Sequence, residues 1–252
     1  MGYFSSLLGA ATPLYTCGMN EPVHLVDGAV SLAPQQAAAR ASGRREPSRT
    51  NDPARTMAGI LEVATAEFAE KGLSGARIDE IAAATQTSKR MIYYYFDSKE
   101  GLYLAVLEEA YRRMRHIESQ LKLDDLAPEG ALRRLVEFTF DHHWSNPAYI
   151  RLVMNENMAR GSYLAQSKII QELNVPAIGA IEKLYARGVE AGVFRTGLDP
   201  IDIHASISAL TFFNVSNQHT FGLIFKADTA AEAARNRRRE NIVELISRFV
   251  KR

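Results

Sequence analysis

The stretch Thr87–Tyr103, TSKRMIYYYFDSKEGLY, concentrates more chemistry than any other part of the chain. Lys89 and Arg90 stand just before Tyr93, Tyr94 and Tyr95, and no acid lies between Thr85 and Phe96. A guanidinium can donate two parallel hydrogen bonds to the O6/N7 edge of guanine. A phenol packs its ring and offers its O–H to a phosphate oxygen, which fixes position without reading sequence. On that chemistry Arg90 is the base-reading candidate, with Lys89 beside it. The Thr87 methyl and Met91 could touch thymine methyls, Tyr93, Tyr94 and Tyr95 suit the phosphates, Lys99 suits a further phosphate, and Ser88 is counted among the DNA-binding residues. The bland reading of the same stretch is an aromatic helix end packed inside the protein with two solvated charges.

These side chains need a short helix presented by others. From Asn51 onward the apolar residues follow a 3.6-residue period, beginning with Met57, Ile60, Leu61, Ala64 and Phe68. Asn51 or Asp52 can cap this helix, Pro53 suits its first turn, and Gly72 is a stop signal. A second helix is predicted over Ile78–Thr85. A break at Gln86-Thr87 follows, then a third helix capped by Ser88 and running to Tyr95. Asp97 or Ser98 opens a long helix with the stripe Leu102, Val106, Ala110, Met114, Ile117 and Leu121. Two short helices three or four residues apart have the proportions of a helix-turn-helix, whose second helix enters the major groove of DNA. Residues 44–99 hold nine Lys/Arg and eight Asp/Glu, 9 − 8 = +1. Any nucleic-acid surface must therefore be local.

Further helices are predicted near 129–143, 147–158, 163–191, 199–218 and 229–250, with Pro176 expected to kink or split the third of them. No segment alternates with period 2 between hairpin turns, so the fold class is all-α. The expected organisation is a disordered extension over 1–50, a helix-turn-helix domain over 51–97, and a ligand-binding and dimerisation domain over 98–252. The extension ends in a basic arm, Arg40, Arg44, Arg45 and Arg49, and Arg49 is counted among the DNA contacts. Cys17 is the single cysteine of the 252 residues, so an internal disulfide is excluded. No apolar run approaches the roughly 20 residues of a membrane span. A cytoplasmic protein is expected.

The segment from about Asp52 to Leu107 resembles the DNA-binding domain of the TetR family of one-component repressors. The residues that carry the likeness are Phe68, Gly72, Ile81-Ala82, Ser88, Tyr93, Tyr95, Phe96, Ser98-Lys99-Glu100 and Leu102. Two positions depart from the family pattern. Gln86 stands where the turn commonly has a left-handed Gly, at a cost of about 1 kcal/mol. Arg77 stands where Ser or Thr usually caps the second helix, and is read as a phosphate contact. The resemblance implies a homodimer on a palindromic operator in double-stranded DNA, released by a small-molecule effector, with repression as the family default.

Dimer contacts are expected from the last two long helices: Ile201–Phe213 is apolar nearly all round, and Ile242, Leu245, Ile246 and Phe249 share a face. Rings, amides and imidazoles crowd the region between: Phe138, Phe140, His142, His143, Trp144, Tyr149, Met154, Asn155, Asn157, Met158, Tyr185, Phe212, Phe213, Asn214, Asn217 and His219. A helical interior of this kind suits a small aromatic or acidic ligand. The chosen contacts are Phe138, His142, Trp144, Met154, Asn155, Met158, Tyr185, Phe213 and Asn217. FTFDHHWSNPAYIRLVMNEN and ISALTFFNVSNQHTFGLIF resemble sensor domains of TetR-type repressors tied to catabolism of aromatic or N-heteroaromatic acids, the nicotinate type among them. No HExxH, CxxC or phosphate loop occurs, and the adjacent His142 and His143 point about 100° apart on a helix. No cofactor, no metal and no catalytic residue is therefore expected. The competing class is a ligand-binding helical protein or enzyme with a vestigial DNA-binding domain.

Overall fold

The computed structural model describes residues 52–252. The expectations for the N-terminal extension, Arg49 included, lie outside the described residues. Among the described residues ten α-helices follow one another: α1 Pro53–Gly75, α2 Ile78–Ala84, α3 Lys89–Phe96, α4 Lys99–Ser119, α5 Pro128–Ser145, α6 Pro147–Met158, α7 Lys168–Glu190, α8 Pro200–Ser216, α9 Gln218–Phe225 and α10 Glu232–Val250. Short 3-10 turns sit at Leu123–Asp125 and Leu164–Gln166. Among the described residues no helix is long and apolar enough to cross a membrane.

Local signals place most of the boundaries. The Asp52 carboxylate accepts from the backbone N–H groups of Ala54 and Arg55 at 3.1 and 3.3 Å. Ser88, Ser98, Ser167 and Asp199 cap α3, α4, α7 and α8 in the same way. Each such cap is worth about 1 kcal/mol. Gly72 interrupts α1 with φ 65° near its end, and one more turn follows to Gly75.

Two expectations need correction. Helix α7 runs through Pro176 as one element. The carbonyl that Pro176 leaves without a donor belongs to Glu172, four residues earlier, and both residues are solvent-exposed, so water can satisfy it. The helix predicted to reach 218 ends at Ser216, and a separate helix, α9, follows without any buried residue.

The helices share two cores. One joins α1, α2, α3 and the first half of α4 around Ile60, Phe68, Ile81, Ile92, Phe96 and Leu102, and takes in Leu152 of α6 and Ile170 of α7. The other joins α5, α7, α8 and α10 around Leu135, Phe140, Ile181, Ile207, Ile242 and Ile246. The face expected on the last helix is therefore divided. Ile242 and Ile246 belong to this core, Phe249 packs partly against it, and Leu245 points outward.

Candidate DNA-binding surface and effector cavity

Helices α2 and α3 meet at a tight turn. Gln86 adopts φ 52°, the left-handed conformation anticipated for it, and Thr87 N–H donates to the Ala82 carbonyl at 3.1 Å. The Ser88 hydroxyl oxygen accepts from Met91 N–H at 3.2 Å. Ile92 and Phe96 then anchor α3 in the first core. That anchoring turns Lys89, Arg90, Tyr93 and Tyr94 outward; Tyr93 is 43% and Tyr94 75% exposed. Tyr95 is half-buried, edge-on to Tyr94 at 5.3 Å and to Phe96 at 6.3 Å. Thr87 and Met91 are half-buried beside them.

The fold adds an acid that linear spacing hides. Asp79 of α2 forms an ion pair with Lys89 and lies 4.0 Å from the Arg77 guanidinium. Among the described residues Arg90 has no acidic partner. Arg77 gives α2 no side-chain cap, and its backbone N–H donates instead to Glu67 at 3.1 Å. The Lys99 ammonium reaches the Ser74 carbonyl at 3.4 Å, tying the start of α4 to the end of α1.

Gly101 makes the α3–α4 corner possible. A Cβ there would stand 2.1 Å from the Phe96 carbonyl oxygen. Farther along, α6 lies against α1 and α4. Asn155 donates to the Phe68 carbonyl at 3.2 Å, and Arg151 pairs with Glu70. Glu156, only 3% exposed, accepts from Tyr163 and Leu164 N–H, both at 2.8 Å, and from the Tyr103 hydroxyl at 3.3 Å. Burial, with the Glu156 charge second, pushes the Tyr103 hydroxyl well above the usual phenol range.

A cavity of about 420 Å³ opens between α4, α5, α6, α7 and α8. Its walls include Tyr111, Arg115 and Glu118 of α4, Thr139 and His143 of α5, Tyr149 of α6, Asn174 of α7, and His204, Ser208 and Phe212 of α8. Arg115 pairs with Glu118 and donates through Nε to the Asn174 amide oxygen at 2.9 Å. His143 lies 3.0 Å from the Thr211 hydroxyl and stacks on Tyr149 at 6.1 Å. Burial, helped by the charges of His142, Arg115 and His204, lowers His143 to about 4. His204 is also lowered, by burial and then by Arg115. At neutral pH the imidazoles are uncharged and Arg115 supplies the cavity's positive charge, with Glu118 beside it. Such a space can enclose one flat ring and offer it both donors and acceptors.

The nine chosen ligand residues do not meet in one place. Trp144, Phe213 and Asn217 line a separate groove of about 230 Å³ between α8, α9 and α10, where the Arg235 guanidinium lies 5.4 Å over the Trp144 ring. His142 lines a smaller cleft beside Pro147, with Phe138 tilted against it at 5.8 Å. Met154 is half-buried on α6. Met158 is 75% exposed. Asn155 is taken up by the Phe68 carbonyl. Tyr185 donates to the Arg195 carbonyl at 2.8 Å and accepts from Leu198 N–H at 3.0 Å, bracing a loop. Of the wider set, His143, Tyr149 and Phe212 reach the large cavity. Arg115, Asn174 and His204 were missed. His204 had a usable signal, as the one imidazole of the largely apolar stretch Ile201–Phe213.

Comparison with known proteins identifies the family and the fold. Residues 60–106 match the model described as bacterial regulatory proteins, tetR family, and residues 128–246 match the tetracyclin repressor-like C-terminal domain. The chain is 33% identical over 192 residues to the HTH-type transcriptional repressor NicS of Pseudomonas putida, covering 76% of this chain and 91% of NicS. It is 36% identical over 139 residues to the HTH-type transcriptional repressor SCO4008 of Streptomyces coelicolor, covering 55% and 69%. Among solved structures, the regulator SCO4942 of Streptomyces coelicolor superposes with a TM-score of 0.59 at 26% identity, over 77% of this chain and 98% of that one. A tetR-family regulator from Rhodococcus RHA1 shares the fold, with a TM-score of 0.62 at 22% identity over 78% and 97%. With its helix-turn-helix, its helical C-terminal region and these relatives, the chain belongs to the TetR family of DNA-binding transcriptional regulators.

Proposed function

We propose that the protein is a homodimeric, cytoplasmic repressor that leaves a palindromic operator when a small aromatic or acidic effector fills the 420 Å³ cavity. One observation carries the effector part. The cavity walls include α4 and α6, and these same helices pack on α1 and on the core that seats α3. A ligand that shifts α4 or α6 therefore moves the recognition helix. A coupling of about 1–3 kcal/mol would change operator affinity about 5–150-fold. Arg90 reads a base edge, Lys89, Tyr93 and Tyr94 hold phosphates, and Ser88 keeps its O–H for a further phosphate. The outward apolar residues Ile201 and Phe213 of α8 and Leu245 of α10 supply the dimer contact. Two recognition helices would then read half-sites one helical turn apart, about 34 Å.

The test is fluorescence anisotropy with labelled DNA from upstream of the protein's own gene, with and without a panel of aromatic acids. Specific binding of a dimer, lost on adding one of them, is the expected result. Binding no tighter than to random DNA at the same salt would overturn the operator reading. Release by no compound of the panel would count against the effector reading.

A further inference from the structure

Thr211 fixes which nitrogen of His143 carries the proton. The Thr211 hydroxyl has one hydrogen. It lies 2.8 Å from the Ile207 carbonyl oxygen and 3.2 Å from that of Ser208, and both can only accept. The hydrogen is committed to the helix's own backbone. Toward His143 Nδ1, at 3.0 Å, the hydroxyl oxygen is therefore the acceptor and Nδ1 the donor. The ring is neutral at physiological pH, so Nε2 keeps a bare lone pair. With Nδ1 turned to α8, Nε2 is the nitrogen left for the cavity that His143 lines. Arg115 shows the opposite character. Its Nε is held by Asn174 and its Nη1 by Glu118, which leaves Nη2 to donate. The hydroxyls of Tyr111 and Tyr149 can both donate and accept, so they do not discriminate.

We propose that His143, locked in this tautomer by Thr211, is a specificity-determining acceptor: the cavity selects a flat ligand that brings an O–H or N–H to Nε2 and an acceptor group to Arg115. The inference rests on the cavity being the effector site. A buried site built to hydrogen-bond a hydroxyl discriminates strongly against the analogue that lacks it, because the site's polar group is then left unpaired. Thr211 acts as a positioning residue through His143.

The experiment is calorimetric titration of the full chain with seven probes: benzoate, the three monohydroxybenzoates and the three methoxybenzoates. At least one hydroxybenzoate should bind about tenfold or more tighter than both benzoate and its methoxy counterpart. Thr211→Val keeps the shape but removes the acceptor, so that ratio should fall to near one while the circular dichroism stays unchanged. Thr211→Ser should restore it. Equal binding of hydroxy and methoxy probes by the parent, or a full ratio in Thr211→Val, overturns the proposal. Binding of benzoate without preference defeats this inference alone; binding of none of the seven defeats the cavity reading and this inference together.

Discussion

The candidate recognition surface and the candidate effector cavity are built in opposite ways. Helix α3 is eight residues long, and a cap, a turn and two buried anchors, all within Thr85–Phe96, decide which side chains face outward. The cavity draws its walls from five helices between Tyr111 and Phe212, and no local pattern decides which side chain reaches it. A surface made from neighbours in the chain tolerates little change in any one of them. A space made from distant helices can change its lining while the bundle stays intact.

The largest expected effect strikes the local construction. Gly101→Ala places a Cβ against the Phe96 carbonyl and should cost about 3 kcal/mol or more in urea unfolding. Gly130→Ala, in α5 with nothing within 4 Å, should be neutral or stabilise by up to about 1 kcal/mol. Equal effects at the two glycines would erase the contrast.

Next comes the interior. His143 has a folded-state pKa of about 4, below the ordinary 6.5, so the unfolded chain takes up its proton first. Its contribution is complete above pH 6.5, is lost as pH falls toward 4, and levels off below. The loss is about 3 kcal/mol at most. Denaturant unfolding between pH 7 and 4.5 should show a decline that is shallower in His143→Gln; parallel curves would mean the ring is not held neutral.

At the DNA surface, Arg90→Ala should weaken specific binding by about 1–3 kcal/mol and relax one base position. Lys89→Ala should cost less, because its ammonium already has Asp79 as a partner. Anisotropy titrations against operator and random DNA separate the two, and the reverse order would remove Arg90 from the base edge. The smallest effect is Gln86→Gly, which relieves a left-handed non-glycine residue and should stabilise by up to about 1 kcal/mol in thermal unfolding.

The same contrast explains what could be read in advance. Ser88, Ser98, Pro53 and the apolar period announced the first four helices, because caps and periods are local. The role of Asp79 was hidden, since its pairing with Lys89 spans the turn. Trp144, Phe213 and Asn217 were chosen with six others as one ligand set, and these three line the α8–α10 groove and not the larger cavity. Sequence shows that a ring lies on a helix but not which of two interior gaps it faces. Arg115 stayed unseen because its i,i+3 pair with Glu118 looks like an ordinary helix-surface pair, and Asn174 joins it only after α4 and α7 pack. Pro176 misled because its effect depends on whether water reaches the carbonyl one turn back.

The tight corner at Gly101 turns α4 into a beam. Near its middle, Glu108 accepts from the Ser167 hydroxyl at 2.6 Å. At 1.5 Å per residue, this fulcrum lies roughly 14 Å from Lys99 and 15 Å from Glu118. The arms are almost equal, so a see-saw motion transmits displacement nearly one to one and reversed in direction. A tilt of about 5° would carry each end about 1 Å, and α3, joined to α4 at the Gly101 corner, would be carried with it.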